Sequence, residues 1–445
     1  MRKTATALAR GLLGAFALTV TTSASESQDV PPSPSPPQAI DEAGTGLANL
    51  IRLGAERNAT VNAARAEWRA AIEELPQAAA LPDPMVRFDY FGESVETRVG
   101  PQEYRYGISQ SFPFPGTRRQ AEQVAAEEVR IKHAEYDLAL RNLIVDISVS
   151  YSELLYVRGA ADITHQHQDV LNHIVKATNA GLADGKASLN DVLRAQSQLA
   201  QLSYDLVLLR ELEHVETAKI NALLDRPVGT TVTTTPPHPV RHVRLSLEHI
   251  QARAIAARQE IEIAGAVSGK RREAVRLAKL RNKPSFTVNA MRIETGESAL
   301  GGSESGKNPW LLGAAISLPL WPGRNRSRVR QAQLLHEAAE HRKRAIENRT
   351  DSDVRSAYFR LENARRLIEL YDKSLIPQAE QAMGTVEQWH DGETRNVSGF
   401  LETQSVWLNF RLARLRAATD YQQYLSRLER LVGGALTPTG EEAAQ

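Results

Sequence analysis

The sequence predicts a mainly α-helical protein with a small β part, built as a duplicated strand–strand–helix–helix unit. Three observations carry this. Landmark residues recur at one offset, proline-free stretches allow helices of unusual length, and four short segments alternate apolar with polar or small residues.

The duplication comes first because it organises the rest. Ser111-Phe112-Pro113-Phe114-Pro115-Gly116-Thr117-Arg118 returns as Ser317-Leu318-Pro319-Leu320-Trp321-Pro322-Gly323-Arg324, with the glycines 207 positions apart. Asp146 and Tyr151 return as Asp353 and Tyr358, and Asp184-Gly185 as Asp391-Gly392, again 207 apart. Leu193-Arg194-Ala195-Gln196 returns as Leu401-Glu402-Thr403-Gln404, shifted by 208. Four landmarks that hold one offset within a residue mark two repeats, 41–235 and 244–434, joined by a linker at 236–243.

Taken in order, the chain opens with Arg2, Lys3 and Arg10, an apolar run from Gly11 to Val20, and the small residues Thr22-Ser23-Ala24. That is the pattern of a secretory signal peptide over 1–24, cleaved near Ala24. The apolar run is shorter than the roughly 20 residues a spanning helix needs. Residues 25–40, with Pro31, Pro32, Pro34, Pro36 and Pro37, form a stiff polar linker. Each repeat then starts with a helix, Asp41–Ala79 or Leu247–Leu280.

Strands are expected at 84–92 and 103–113, and again at 284–292 and 309–319. In them Val86, Phe88 and Tyr90 alternate with Arg87 and Asp89, and Phe286, Val288 and Ala290 with Ser285, Thr287 and Asn289. Their length of about 8 to 10 residues fits strands that cross a membrane with one apolar face. Pro113, Pro115 and Gly116, with Pro319, Pro322 and Gly323, form the corners where strand gives way to helix. Long helices follow at 116–180 and 187–224, then at 324–389 and 397–431, and a polar tail closes the chain at 435–445. At 1.5 Å per residue the first would span on the order of 100 Å. Leu193, Leu199, Leu202, Leu206 and Leu209 give the seam of antiparallel coiled-coil packing. Pro377 is expected to bend or break the second long helix.

Four strands cannot close a barrel, and open edges are not tolerated in lipid. Three chains would pool twelve strands into a barrel with a water-filled lumen and wrap twelve helices into a hollow cylinder. Composition narrows the function further. Lys+Arg 54 against Asp+Glu 53 leaves a net charge of +1, which argues against a nucleic-acid-binding surface. The absence of cysteine excludes thiol catalysis, zinc–cysteine sites, iron–sulfur clusters, disulfides and a lipid-modified cysteine. There is no nucleophile elbow, P-loop or dinucleotide fingerprint, so the chain does not read as an enzyme and implies no cofactor.

On the duplicated plan, the Gly-Ile-Ser-Gln-Ser-Phe-Pro corner at 107–113 and the pattern at 185–196, the chain resembles the TolC-type outer-membrane efflux channels (outer membrane factors). The Pro-Phe-Pro-Gly-Thr-Arg corner is most similar to the CzcC-like branch associated with heavy-metal export. The resemblance implies a homotrimer with a 12-stranded outer-membrane β-barrel on a long periplasmic α-helical barrel. It implies a passive duct for heavy-metal cations, drugs or other small molecules. It also implies docking to a periplasmic adaptor (membrane fusion protein) and an inner-membrane pump of the resistance-nodulation-division type. The barrel, set in outer-membrane lipid without a lipid anchor, would hold the trimer.

The turns around Gly185 and Gly392 are then the adaptor-docking turns. Gate and pore candidates just inside them are Asp191, Arg194, Arg395 and Glu402, with Asp191 expected to pair with Arg395 and Glu402 to supply a threefold acidic ring. Ser398 and Gly399 stand where better-known members carry an aspartate. Histidines offer no helical metal site: His165/His167 are two apart and His336/His341 five apart, which does not place two ligands on one helix face, and His238/His242 lie in the Pro-rich inter-repeat segment, where spacing is less diagnostic. Two rival readings remain, a soluble periplasmic coiled-coil adaptor or scaffold and a protein-secretion channel. The adaptor would not need four strands of membrane length, and it normally carries a single hairpin.

Overall fold

A computed structural model describes residues 46–235, 246–388 and 397–436. The signal-peptide segment, the proline-rich linker, the whole inter-repeat linker, the tail from 437 and residues 389–396 lie outside the described residues.

Each repeat opens with two helices where the sequence suggests one. In the first they are α1 (Leu47–Arg57) and α2 (Ala59–Ala79); in the second α5 (Leu247–Ala257) and α6 (Gln259–Leu280). The break at Asn58 is a capping event. Its side chain accepts from Val61 N at 3.1 Å, and its Nδ2 donates to Leu223 O at 2.9 Å. Arg258 occupies the corresponding break in extended backbone and has no side-chain cap bond to offer.

Next come β1 (Met85–Val95) and β2 (Gln102–Phe112), then β3 (Ser285–Thr295) and β4 (Trp310–Ser317) in the second repeat. The four form one antiparallel sheet in the order β1-β2-β3-β4. The register sets Phe88 opposite Tyr106, Ile108 opposite Ala290, and Phe286 opposite Ile316. Because side chains alternate across a strand, that register collects the apolar residues on one face. Gly116, in the left-handed region at φ 89°, turns the chain from β2 into α3 (Thr117–Ala183). At 67 residues α3 spans about 100 Å. α4 (Leu189–Leu223) runs back along it.

In the second repeat α7 (Pro322–Leu370) passes into a π-helical segment, Tyr371–Leu375, before α8 (Ile376–Gln388) and α9 (Val397–Leu431). A single helix over 324–389 is therefore corrected: the break falls one turn ahead of Pro377, whose missing N–H and ring disfavour regular α-helix around it. Gly323 is corrected too. α7 starts at Pro322, so Gly323 lies within the helix and is not a turn residue like Gly116.

Packing forms two helix rows that share α3 and α7. Near the sheet α3 lies between α2 and α6, and α6 packs on α7. Toward the far end α3 lies between α4 and α9, and α9 packs on α7 and α8. The cores repeat with the sequence. Ile147 and Val354, and likewise Leu154 and Leu361, are 207 apart, and Ile220 and Leu428 are 208 apart; all six are fully buried. A third cluster, with Leu171, Ala195, Leu202, Val397, Leu401 and Leu408, ties α3, α4 and α9 together at the tip.

Candidate functional site

Three parts of the molecule can do chemistry or transport: the sheet, the free sides of the helix rows, and the tip. The sheet is amphipathic in the inverse sense of a soluble protein. Val86, Phe88, Tyr90, Ile108, Phe286, Leu312 and Ile316 lie on one face and are exposed, Val86 at 76% and Leu312 at 69%. The opposite face carries Arg87, Asp89, Arg105, Ser109, Thr287 and Asn289. There Asp89 accepts from Arg87 Nε and Arg105 Nε, each at 2.8 Å. Water thus fits the charged face and hydrocarbon the other. β1 and β4 each have one unpaired edge among the described residues. No helix among the described residues is long and apolar enough to cross a membrane.

The helix rows also end in uncovered apolar faces. α4 exposes Leu193, Tyr204, Val207, Leu212 and Val215, and α7 exposes Leu334, Phe359, Leu367 and Leu370. Clusters of this size on both outer helices are more than the scattered apolar residues of an ordinary surface.

At the tip, α3 ends in a tight turn closed by Lys186 N donating to Gly181 O at 2.7 Å and Gly185 N to Leu182 O at 3.1 Å. Gly185 takes φ 69°, which suits glycine. Ser188 then caps α4 in a reciprocal box: Asp191 N donates to Ser188 Oγ at 3.1 Å, and the Asp191 carboxylate accepts from Ser188 N at 3.2 Å and Oγ at 2.6 Å. Asp191 therefore spends its charge on its own helix start. The side chain that crosses to the second repeat is Arg194, which donates to Ser398 Oγ on α9. Glu402 is exposed and has no ion pair among the described residues. Arg395 and Gly392 lie outside the described residues. The corner prolines flank short turns, with Thr117 N donating to Phe114 O and Leu320 N to Leu318 O, each at 3.0 Å.

Sequence reasoning missed three features. Arg258, 9% exposed in its side chain, joins Thr350 Oγ1 at 3.0 Å, Asp353 at 3.1 Å and Glu260 at 3.1 Å, while Arg430 reaches Glu260 at 2.9 Å. His167 is 3% exposed, and its Nδ1 has no hydrogen-bond partner among the described residues. The π segment is fastened to α9 by Arg414 on Asp372 at 2.9 Å and by Tyr371 against Phe410. Among the described residues no three His, Asp or Glu converge to hold a metal ion.

Comparison with known proteins follows the same outline. Residues 50–224 and 246–434 match the family described as outer membrane efflux protein. The pyoverdine export outer membrane protein OpmQ of Pseudomonas aeruginosa is 24% identical over 348 residues, 72% of this chain and 69% of its own. The outer membrane protein VceC of Vibrio cholerae superposes with a TM-score of 0.74 at 19% identity, covering 88% of this chain and 97% of VceC. The CmeC outer membrane channel of Campylobacter jejuni gives 0.73 at 13% identity, covering 89% and 88%.

Proposed function

The chain belongs to the outer membrane efflux protein family, whose members are efflux channels and not enzymes, and from that premise we propose that it is the outer-membrane exit duct of a tripartite efflux system. The observation that carries the proposal is the sheet: an exposed apolar face bounded by two unpaired edges. In lipid each unpaired backbone group would cost several kcal/mol, on the order of the desolvation of an amide. Pairing β1 of one copy with β4 of the next removes both edges. Three copies give twelve strands, and the same rotation brings the bare face of α4 against that of α7.

The charged sheet face, with Asp89 between Arg87 and Arg105, then lines the lumen. Transport through it is passive, and an inner-membrane pump of the resistance-nodulation-division type supplies the energy. A periplasmic adaptor docks at the turns around Gly185 and Gly392. It can open the tip only by binding the open state better than the closed one.

Within the tip, Arg194 holds α4 to α9 through Ser398, and Glu402 supplies the acidic ring. The solutes are small exported molecules. The name of OpmQ assigns that relative pyoverdine, and the corner motif at 113–118 favours heavy-metal cations here.

Single-channel conductance in planar bilayers tests this reading. Stable pores are expected. Arg194→Ala is expected to raise conductance, and Glu402→Gln to weaken cation preference. Folded protein that forms no pores refutes the duct. Pores unchanged by either substitution keep the duct and refute this gate.

A further inference from the structure

Charge is distributed very unevenly along the sheet axis. All four strand–helix junctions, 80–84, 113–121, 276–284 and 318–331, lie at one end of the sheet. Together they hold ten Lys and Arg and a single acid, Asp83, although the whole chain is balanced at +1. The segments at the other end, 91–104 and 294–309, hold six acids and two bases.

Internal contacts do not account for the basic end. Arg276 pairs with Glu273, Arg118 Nε donates to Ala79 O, and Arg328 donates to Asn282 Oδ1. Arg119, Arg281 and Lys283 are exposed and make no ion pair among the described residues, and the same holds for Arg324, Arg326 and Arg330. Helix stability does not account for it either. α3 and α7 both begin here with no acid in the first turn, so their basic residues stand where the helix dipole favours anions.

Apolar side chains are interleaved with these charges. Leu318, Leu320 and Trp321 are exposed at 54%, 72% and 68%, immediately before Arg324. An exposed tryptophan between an apolar sheet face and a band of arginine is the composition of a bilayer interface. Strands of 8 to 11 residues, tilted, match the thickness of the hydrocarbon layer. The junctions therefore fall at headgroup depth.

We propose that this basic collar is a docking surface for anionic phospholipid headgroups of the leaflet facing the helices. The proposal rests on the reading of the sheet as membrane-spanning. It goes beyond that reading by assigning the sheet's two ends different lipid surroundings. Guanidinium groups bind phosphate bidentately, and the leucines and Trp321 sit among the first methylenes. The collar fixes the depth of the barrel and gives the channel a preference for bilayers rich in anionic phospholipid.

The test uses the purified full chain, reconstituted in phosphatidylcholine vesicles with and without about a fifth phosphatidylglycerol, then extracted and weighed by native mass spectrometry. Wild type is expected to retain phosphatidylglycerol over phosphatidylcholine. Arg324→Gln, Arg326→Gln and Arg330→Gln together are expected to weaken that preference by about fivefold for each arginine removed. Lys279→Gln with Arg281→Gln and Lys283→Gln gives an independent second variant. Arg98→Gln with Lys307→Gln, at the far end, is expected to leave the preference intact. Equal retention of both lipids by wild type overturns the proposal. So does a preference that survives both collar variants, is lost in the far-end control, or is abolished by inorganic phosphate at millimolar concentration. Conductance of the same preparations in pure phosphatidylcholine reports on the duct separately, so pores without lipid preference refute the collar alone.

Discussion

Acidification is expected to loosen the tip half of the protein through one side chain, His167. It occupies the buried stripe of α3 between Thr164 and Leu171, is 3% exposed, and offers Nδ1 to no partner among the described residues. Burial alone pushes its pKa down from 6.5 to about 4. The unfolded chain takes up a proton near 6.5 and the folded chain only near 4, so between those values the unfolded state binds more protons. The stability gained from keeping His167 neutral is complete above about pH 6.5 and is lost progressively as pH falls toward 4. From about pH 7 to pH 5 the loss amounts to about 2 kcal/mol per chain, and it levels off near 3 kcal/mol below pH 4. Denaturant unfolding of the detergent-solubilised protein across this range, wild type against His167→Leu, isolates the effect from other titrating groups. Leucine fills a similar volume without a stranded nitrogen, so the variant is expected to match or slightly exceed wild type at neutral pH. Its stability should then fall by about 2 kcal/mol less between pH 7 and pH 5. Parallel curves for the two proteins would refute the assignment.

Arg258→Met is expected to cost about 2–3 kcal/mol, because Asp353 and Glu260 lose a nearly buried partner while Arg430 still holds Glu260. Burial opposes the charge on Glu260, but the hydrogen bond from Arg258 and the neighbouring Arg430 outweigh it and keep its pKa below the usual range. That contribution is present above the unfolded carboxylate pKa and is lost as pH falls through the folded one; the variant has less of it to lose, so its stability, though lower at neutral pH, should fall less steeply with acid, read from denaturant unfolding at a series of pH values. Gly433→Ala is expected to destabilise by about 2 kcal/mol or more in denaturant titration, since the residue sits at φ 70° and a Cβ would lie 2.3 Å from Ala257 O. Asp191→Ala is expected to remove the capping box at a cost of about 1 kcal/mol, measured by hydrogen exchange at the start of α4, with conductance close to wild type.

The repeat, the strands and the long helices were legible because each is a periodic signal, and the offset of 207 links buried residues such as Leu154 and Leu361 as well as motifs. The breaks at Asn58 and Arg258 were not, because apolar spacing continues across them. A capping residue was visible only in the first repeat. Pro377 announced an irregularity but not its form, since a π turn is set by packing against α9. The Arg258 network joins residues 92 and 95 positions apart, and the Arg194–Ser398 bond spans 204. No local pattern specifies such partners. Asp191 also carries a capping signature with Ser188, three residues earlier, which its charge alone does not reveal, while its expected partner Arg395 lies outside the described residues.

The one-residue slip between the repeats has an address in the sequence, and it is not the π segment. The offset is still 207 at Asp184-Gly185 and Asp391-Gly392 and becomes 208 at Leu193 and Leu401, so the second repeat carries its extra residue between Gly392 and Leu401. The π segment at 371–375 lies ahead of that interval, with the offset at 207 on both sides of it, so it is a separate irregularity: a π turn holds one residue more than a regular turn while its neighbours keep their faces. Deleting a residue from a regular helix rotates everything beyond it by about 100° and tears the buried stripe from its partner. Deletion of Lys373, which is exposed, is instead expected to restore a continuous α-helix, leave Ala379 buried against α9, and cost no more than about 1 kcal/mol. Deletion of Lys176, also exposed but within the unbroken α3, is expected to unfold the tip. Denaturant unfolding and far-UV circular dichroism of the two deletions decide the matter. Equal damage from both would mean that the π turn holds no removable residue and that Asp372, Tyr371 and their partners on α9 require it.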